Sequence, residues 1–384
     1  MEIVYAQESL PKVINKSLFL AGPTCRDEDG NPWRKEAVEI LKKSGYDGVV
    51  YIPEPRDGSW AKNYDDQIEW EELCLNQADC IVFWIPRDLK TMPAFTTNIE
   101  WGKWEDSGKV VLGYPKDAEK MRYLHHYAEE FKVSISSTLE DTLTDAIKFI
   151  GEGVDRTGGE RMVPLYIWNT PQFQSWYTAQ VDAGNRLDDA KVLFNFRPGF
   201  KKFVFLWVLH VDMYISSEDR HKTNEFVLAR TDISSVVLWK PAEAVEDSEI
   251  VLVREFRSPA NTPTGFILEP PGGSAIDETD ATEIAAEEVF EETGMHISPN
   301  RLVSRGARQL AGTLSSHKSH LFSVKITDEE LTWLKSQRDI AHGNVEDSER
   351  TYIEVHVLKD LLKEKLTDWV TIGQVLSVVM ENNE

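Results

Sequence analysis

Between Ser17 and Ile150 short apolar runs alternate with stretches of helical periodicity, and that alternation restricts this part of the chain to a parallel α/β sheet. Ser17–Ala21 reads as a strand ending in Gly22-Pro23, and Trp33–Lys43 as a helix that stops near Gly45. Gly48–Ile52 is a second strand, closed by Pro53-Glu54-Pro55. A helix over Asp65–Gln77 and a strand over Cys80–Ile85 follow, then a helix over Thr97–Asp106 and a strand over Val110–Gly113. Helical spacing continues from Asp117 to Phe131 and from Leu139 to Ile150. Gly151, Gly153, Gly158 and Gly159 then cluster among charged residues and read as a linker.

Beyond the linker the texture changes. Phe203–Ile215, Asn224–Arg230, Ser234–Lys240 and Ile250–Phe256 are rich in β-branched and aromatic residues and separated by turn signals. A helix near Asp280–Glu292 interrupts this series, strands follow at Leu321–Ile326 and Tyr352–Leu358, and Thr371–Met380 closes as a helix. The domains expected are 1–152, a linker and extension over 153–200, and 201–384. The stretch Pro164–Pro198, with Trp168, Phe173, Trp176 and Tyr177, fits either an N-terminal extension of the second domain or an interdomain clasp.

The formal net charge of −23 argues against a nonspecific partner for nucleic-acid polymers or anionic membranes. Small anionic substrates are compatible with it, because a bound metal inverts the local field. The three cysteines, Cys25, Cys74 and Cys80, are odd in number and lack paired zinc spacing. No leader-like apolar run follows a basic start, and no stretch reaches the roughly 18 apolar residues of a membrane span. The composition reads as a soluble cytoplasmic protein.

Glu288, Glu291 and Glu292 stand at i, i+3 and i+4, which puts three carboxylates on one helix face. Like charges so placed repel, by a few tenths of a kcal/mol per pair. A divalent cation removes that repulsion, and carboxylate oxygens suit Mg²⁺ or Mn²⁺; a solvated acidic face is the plainer alternative. The preceding Glu269-Pro-Pro-Gly-Gly273 and the following Thr293-Gly294 favour the metal. With the first glycine at Gly273, the segment resembles the Nudix hydrolase box, G-x5-E-x7-R-E-U-x-E-E-x-G-U. Two positions depart: Thr279 replaces the first glutamate and Glu287 the arginine. The resemblance implies an α/β/α sandwich, with Glu288, Glu291, Glu292 and the Gly272 carbonyl as metal ligands and Glu288 and Glu292 in catalysis. Ile250–Arg257 is similar to the strand of ADP-ribose pyrophosphatases whose last arginine meets substrate phosphate or ribose, which points to Arg257. In that subgroup the general base comes from a later loop; Glu349 is the first choice here and Glu346 the second, with Asp347 beside them. Arg308-Gln309, His317 and His320 form a further polar cluster that can line the pocket.

In the first domain Phe19-Leu-Ala-Gly22-Pro23 puts a glycine where open parallel sheets bind ligands. Together with Trp33-Arg34, Pro53-Glu54, Gln67–Glu71, Ala78-Asp79 and Thr96–Gly102, it resembles nucleoside 2-deoxyribosyltransferases and related nucleotide N-glycosidases, over roughly Ser17 to Gly113. The resemblance implies a Rossmann/flavodoxin-like sheet and a homo-oligomer. It makes Glu100, two residues before Gly102, the nucleophile at the anomeric carbon. A second acid helps the base depart; Glu71 stands where the family has an aspartate. Gly22, Arg34 and Asn98 are the candidate substrate contacts, with Arg87 nearby. The tryptophans Trp60, Trp70, Trp84, Trp101 and Trp104 read mostly as core.

The expectation is therefore a bifunctional enzyme for a small nucleotide or nucleoside. One domain performs Mg²⁺-dependent pyrophosphate cleavage and the other cleaves or transfers at an N-glycosidic bond. A nucleotide sensor with a degenerate box, or a single activity beside a structural domain, are the competing readings.

Overall fold

The computed structural model describes residues 1–25, 33–58, 63–197, 203–274, 280–344 and 348–381. Trp60, Thr279, Glu346 and Asp347 lie outside them. The chain divides into two compact units, Met1–Leu228 and Ala229–Glu384. No helix is long and apolar enough to cross a membrane among the described residues.

The first unit is built on a six-stranded parallel sheet in the order Glu2–Tyr5, Val49–Ile52, Ser17–Ala21, Cys80–Trp84, Val110–Gly113, Ile135–Ser136. The central strands are buried along their whole length, as strands covered by helices on both faces must be. Strand order reverses between Ser17–Ala21 and Cys80–Trp84. That is the switch point at which the carboxyl ends of an open sheet leave a crevice. The four-residue edge strand Glu2–Tyr5 goes unread in the sequence because it has too few residues to establish a period.

The helices carry local signals. Asn63 caps Tyr64–Gln77 by accepting the Asp65 N–H, and Thr138 caps Leu139–Ile150 by accepting from Asp141. The helix expected from Asp117 begins only at Arg122, because Lys120 adopts a left-handed φ of 55° and breaks the run.

The glycine-rich stretch after Ile150 is folded structure, not a linker. Arg156–Thr157 pairs antiparallel with Val13–Ile14. Gly159 lies against the Asp188-Asp189 backbone, where a Cβ would come within 2.4 Å of the Asp188 carbonyl carbon. Close backbone approach, rather than flexibility, selects glycine there. Arg156 and Asp79, both fully buried, form an ion pair of 2.6 Å. Asp79 also accepts from the Ser17 N–H at 2.9 Å, the Ser17 hydroxyl at 3.1 Å and the Leu165 N–H at 2.9 Å. This hub ties 150–168 to the sheet. The segment then continues as the helix Pro171–Asp182 and the strand Arg186–Phe196, which pairs with Leu206–Ile215. The boundary expected at 200/201 therefore falls inside one antiparallel sheet, and the compact units part at 228/229.

The second unit has a mixed sheet in the order Phe266–Glu269, Glu249–Phe256, Ile233–Lys240, Lys318–Lys325, Val303–Gln309, with Thr351–Val357 paired to Glu249–Phe256. Period-two alternation separates two cores. Val236, Leu238 and Val251 pack on Ala285 and Val289 of the helix Ala281–Thr293 and on Leu331 and Leu334 of the helix Asp328–Ser336. Val237, Trp239, Ile250 and Leu252 pack on Leu361, Val375 and Val378 from the C-terminal helices. The result is a sheet with helices on both faces. Asp280 caps the acidic helix and Gly294, left-handed at φ 72°, ends it.

Replacing Arg156 by Met leaves Asp79 buried without its cation, which should cost about 3–5 kcal/mol. Urea unfolding followed by tryptophan fluorescence should show that loss in the transition of the first unit. A change below about 1 kcal/mol would show that the ion pair does not hold the extension to the sheet.

Candidate functional sites

Gly22 directly follows the first central strand. A Cβ there would sit 2.2 Å from the Trp84 carbonyl oxygen and 2.8 Å from the Trp33 ring, so only glycine lets the chain turn beside the crevice. Arg34, expected as a substrate contact, is 4% exposed. Its Nε donates to the Leu20 carbonyl at 3.2 Å, Nη2 to the Gly22 carbonyl at 2.5 Å, and Nη1 to Thr24 Oγ1 at 3.1 Å and to Glu54. The side chain thus braces the turn after the strand and supplies a buried positive charge. Burial pulls its pKa down, and Glu54, Glu100 and Glu71 all oppose that effect.

The two expected catalytic acids of this unit share one electrostatic environment. Burial pushes the Glu100 carboxyl up to about 7; the charge of Glu71 adds to that and Arg34 opposes it. Burial also raises Glu71, against a hydrogen bond from Gln67 Nε2 at 2.7 Å and the charge of Arg34. The Glu71 charge and burial both favour the neutral form of Glu100, and the Arg34 guanidinium favours the ionised form of each carboxyl. Asn98 stands apart: it is exposed and accepts a hydrogen bond from Arg87 Nη2. Sequence reasoning marked the Pro53-Glu54 turn without giving Glu54 a role, and passed over Gln67 as a partner. A buried arginine at Arg34 needs a carboxylate close by, which is the signal that leads to Glu54.

In the second unit Glu255, Glu292 and Glu349 bring carboxylate oxygens within 4.8 Å of one another. Glu292 is 1% exposed and accepts the Gly272 N–H at 3.0 Å. Burial, and then Glu288, raise its pKa well above the ordinary value, while the Gly272 hydrogen bond works the other way. Gly273 lies against Glu288: a Cβ there would be 2.1 Å from Glu288 Oε1. Burial and then Glu291 push Glu288 up to about 7. Glu349 reaches the group because its loop is tied to the helix. The Gly343 N–H donates to the Glu291 carbonyl at 2.8 Å, and Thr351 Oγ1 to the Glu292 carbonyl at 2.8 Å.

Three expected site residues have the following surroundings. Glu291 is exposed and is not among the converging carboxylates, although it acts on Glu288. Gly272 contributes its N–H to Glu292. Arg257 is engaged by acids, at 2.6 Å from Glu269 and 2.8 Å from Glu255. Burial pulls Arg257 down, but Glu269 and Glu255 outweigh it and hold its pKa above the ordinary value. Glu255 is the residue sequence reasoning missed; burial pushes it up to about 7. It is in phase with core-facing Val251 on its strand, so period two aims an acid at the helix. His317 is held below its usual pKa by burial and by Arg230, and His320 contacts Asp232 at 3.1 Å. The converging set of Glu255, Glu292 and Glu349 is oxygen-only and crowded, which fits a hard divalent cation such as Mg²⁺ or Mn²⁺.

A carboxyl with a raised folded pKa favours the folded state while protonated. That contribution is complete below the unfolded value of about 4.5 and is lost as pH rises through about 7 for Glu255 and Glu288, and in the same direction for Glu292. Glu292→Gln should therefore raise the melting temperature of the metal-free second unit by about 2–4 °C at neutral pH. The gain should vanish as the pH approaches about 4.5. Calorimetry in chelator checks this; a variant that melts lower than wild type at neutral pH contradicts it.

A search of curated proteins found no match to this chain. Residues 15–118 match the family model described as nucleoside 2-deoxyribosyltransferase like. That segment holds Gly22, Arg34, Glu71, Asn98 and Glu100, so the first unit carries a nucleoside 2-deoxyribosyltransferase-like domain.

Proposed function

We propose that the first unit cleaves or transfers at the N-glycosidic bond of a nucleoside or nucleoside monophosphate. The observation that carries this reading is the desolvated pair Glu71 and Glu100 around the buried Arg34, inside the family-matched segment. In its ionised form Glu100 attacks the anomeric carbon. The C–N bond breaks with its electron pair leaving on the base, and Glu71 delivers the proton that base takes up. Water or a second base then displaces Glu100 from the sugar. Exclusion of water from both carboxyls strengthens their action on the oxocarbenium-like transition state.

For the second unit the same proposal reads a Nudix-type pyrophosphohydrolase acting on a nucleoside diphosphate derivative, ADP-ribose-like or a modified nucleotide. Support comes from the Gly273-to-Met295 motif and the carboxylate group beside it. Glu255, Glu288, Glu292 and Glu349 are the residues that would hold Mg²⁺ or Mn²⁺. When bound, such an ion neutralises phosphate charge and lowers the pKa of water. Arg257 would turn from Glu269 toward a substrate phosphate, for which a guanidinium is well shaped. Cleavage by this unit would yield a nucleoside monophosphate, the kind of substrate proposed for the first. Glu287 at the motif's arginine position is exposed and favours a competing reading, in which this unit binds nucleotide without turnover.

Mass-spectrometric product analysis with Mg²⁺, on ADP-ribose, NAD and common or modified nucleotides, separates these readings. The expected outcome is monophosphate formation lost in Glu292→Gln alone and free-base release lost in Glu100→Ala alone. Monophosphate formation that survives Glu292→Gln contradicts the reading of the second unit, and base release that survives Glu100→Ala contradicts that of the first. Tight nucleotide binding by the second unit with no product supports the competing reading.

A further inference from the structure

The glycine turn of the second unit is bracketed by two guanidinium groups. Arg257 is bonded to Glu269, which precedes Gly272-Gly273. Arg230 Nη2 donates at 2.9 Å to Ser274 Oγ, which follows them. Arg230 closes the strand Arg220–Arg230 and lies within the second unit. The next strand, Ile233–Lys240, pairs Ser234 with Gly273 and Ser235 with Gly272. The backbone therefore delivers Arg230 to the turn whose Gly273 lies against Glu288 and whose Gly272 N–H holds Glu292.

Two like charges meet there. Arg230 is half-buried, and its pKa is pulled down first by burial and then by the Arg257 charge. Arg257 has Glu255 and Glu269 as direct ion-pair partners. The contact that holds Arg230 at the turn is the Ser274 hydroxyl. A hydroxyl positions a guanidinium without neutralising it. Toward the strand Lys318–Lys325 the surroundings of Arg230 are polar. His317 feels its charge and that of Asp232. Asp232 in turn accepts the Lys318 N–H at 2.8 Å and contacts His320 at 3.1 Å. An anion with two linked charged groups compensates both guanidiniums at once, and phosphate oxygens suit each fork.

We propose that Arg230 is a second phosphate-binding residue of this site, so that a diphosphate is held across the Gly272–Ser274 turn with one phosphate on Arg257 and the next on Arg230. The inference rests on reading the second unit as a pyrophosphohydrolase and narrows its substrate class to nucleotides with at least two linked phosphates. A monophosphate reaches only one of the two guanidiniums. When water cleaves the P–O–P linkage, each product keeps one guanidinium and loses the other. The hold on both products is therefore weaker than the hold on the substrate.

Titration calorimetry of the full chain with ADP and with AMP, each with Mg²⁺ and again with chelator, tests the assignment. The Mg²⁺-dependent component reports on the second unit. In that component the wild type should bind ADP about tenfold or more tightly than AMP. Arg230→Met should remove most of that advantage and change AMP affinity by less than about threefold. Arg230→Lys, which keeps the charge and loses the fork, should restore part of it and so separates charge loss from misfolding. Absence of Mg²⁺-dependent ADP binding in the wild type, ADP affinity unmoved by Arg230→Met, or equal losses for ADP and AMP overturns the proposal. Cleavage of ADP-ribose keeps the two claims apart. Cleavage whose KM is unmoved by Arg230→Met overturns the role of Arg230 and leaves the pyrophosphohydrolase reading in place. No cleavage, with ADP binding still dependent on Arg230, overturns that reading and supports the role of Arg230.

Discussion

A carboxylate removed from water must be compensated, and the way each buried acid of this chain is compensated separates scaffold from reagent. Asp79 has Arg156, two backbone N–H groups and a hydroxyl on its two oxygens. Both oxygens are engaged, and the result is a lock between the sheet and the segment after Ile150. Glu71 and Glu100 have one guanidinium between them, already shared with Glu54 and backbone carbonyls. Glu292 has one N–H and four carboxyl neighbours, Glu255, Glu269, Glu288 and Glu349. Those acids are left short of positive charge, and groups in that condition bind protons, cations or the developing charge of a reaction.

Fold and reagent are connected through glycine. At Gly22 and Gly273 a Cβ would strike either the strand beside the crevice or the carboxylate itself. Gly22 lets the chain turn against Trp84 and Trp33, and Gly273 lets its strand approach Glu288 on the acidic helix. In the first unit the partner of the acids is a buried arginine, which suits attack on a sugar carbon. In the second it is a set of further carboxylates, which suits a divalent ion and a phosphate chain.

Much of this was legible before any coordinates. Leu139–Ile150 and Val110–Gly113 follow from apolar spacing with clear caps and turns. Glu71, Glu100, Glu288 and Glu292 were named as candidates from motif context alone, and their burial is what the structure adds. The short edge strand Glu2–Tyr5 was not legible, because four residues carry no period. The linker reading of 153–159 failed because glycine marks tight packing as well as freedom, and composition does not distinguish them. Arg34 looked like a surface contact because one sequence cannot show that four acceptors await its guanidinium. Glu255 was hidden for a related reason. An acid in a strand is read as outward unless its phase against Val251 and Val253 is followed.

The central claim is that Glu100, desolvated beside Glu71 and Arg34, bonds covalently to the sugar. Acid quenching of the reaction with a nucleoside monophosphate, followed by digestion and mass spectrometry, tests it most directly. The account predicts that the peptide containing Glu100 gains the mass of the glycosyl group, and that Glu100→Ala forms no adduct and releases no base. Base release by Glu100→Ala at the wild-type rate, with no adduct on the wild-type peptide, would contradict it.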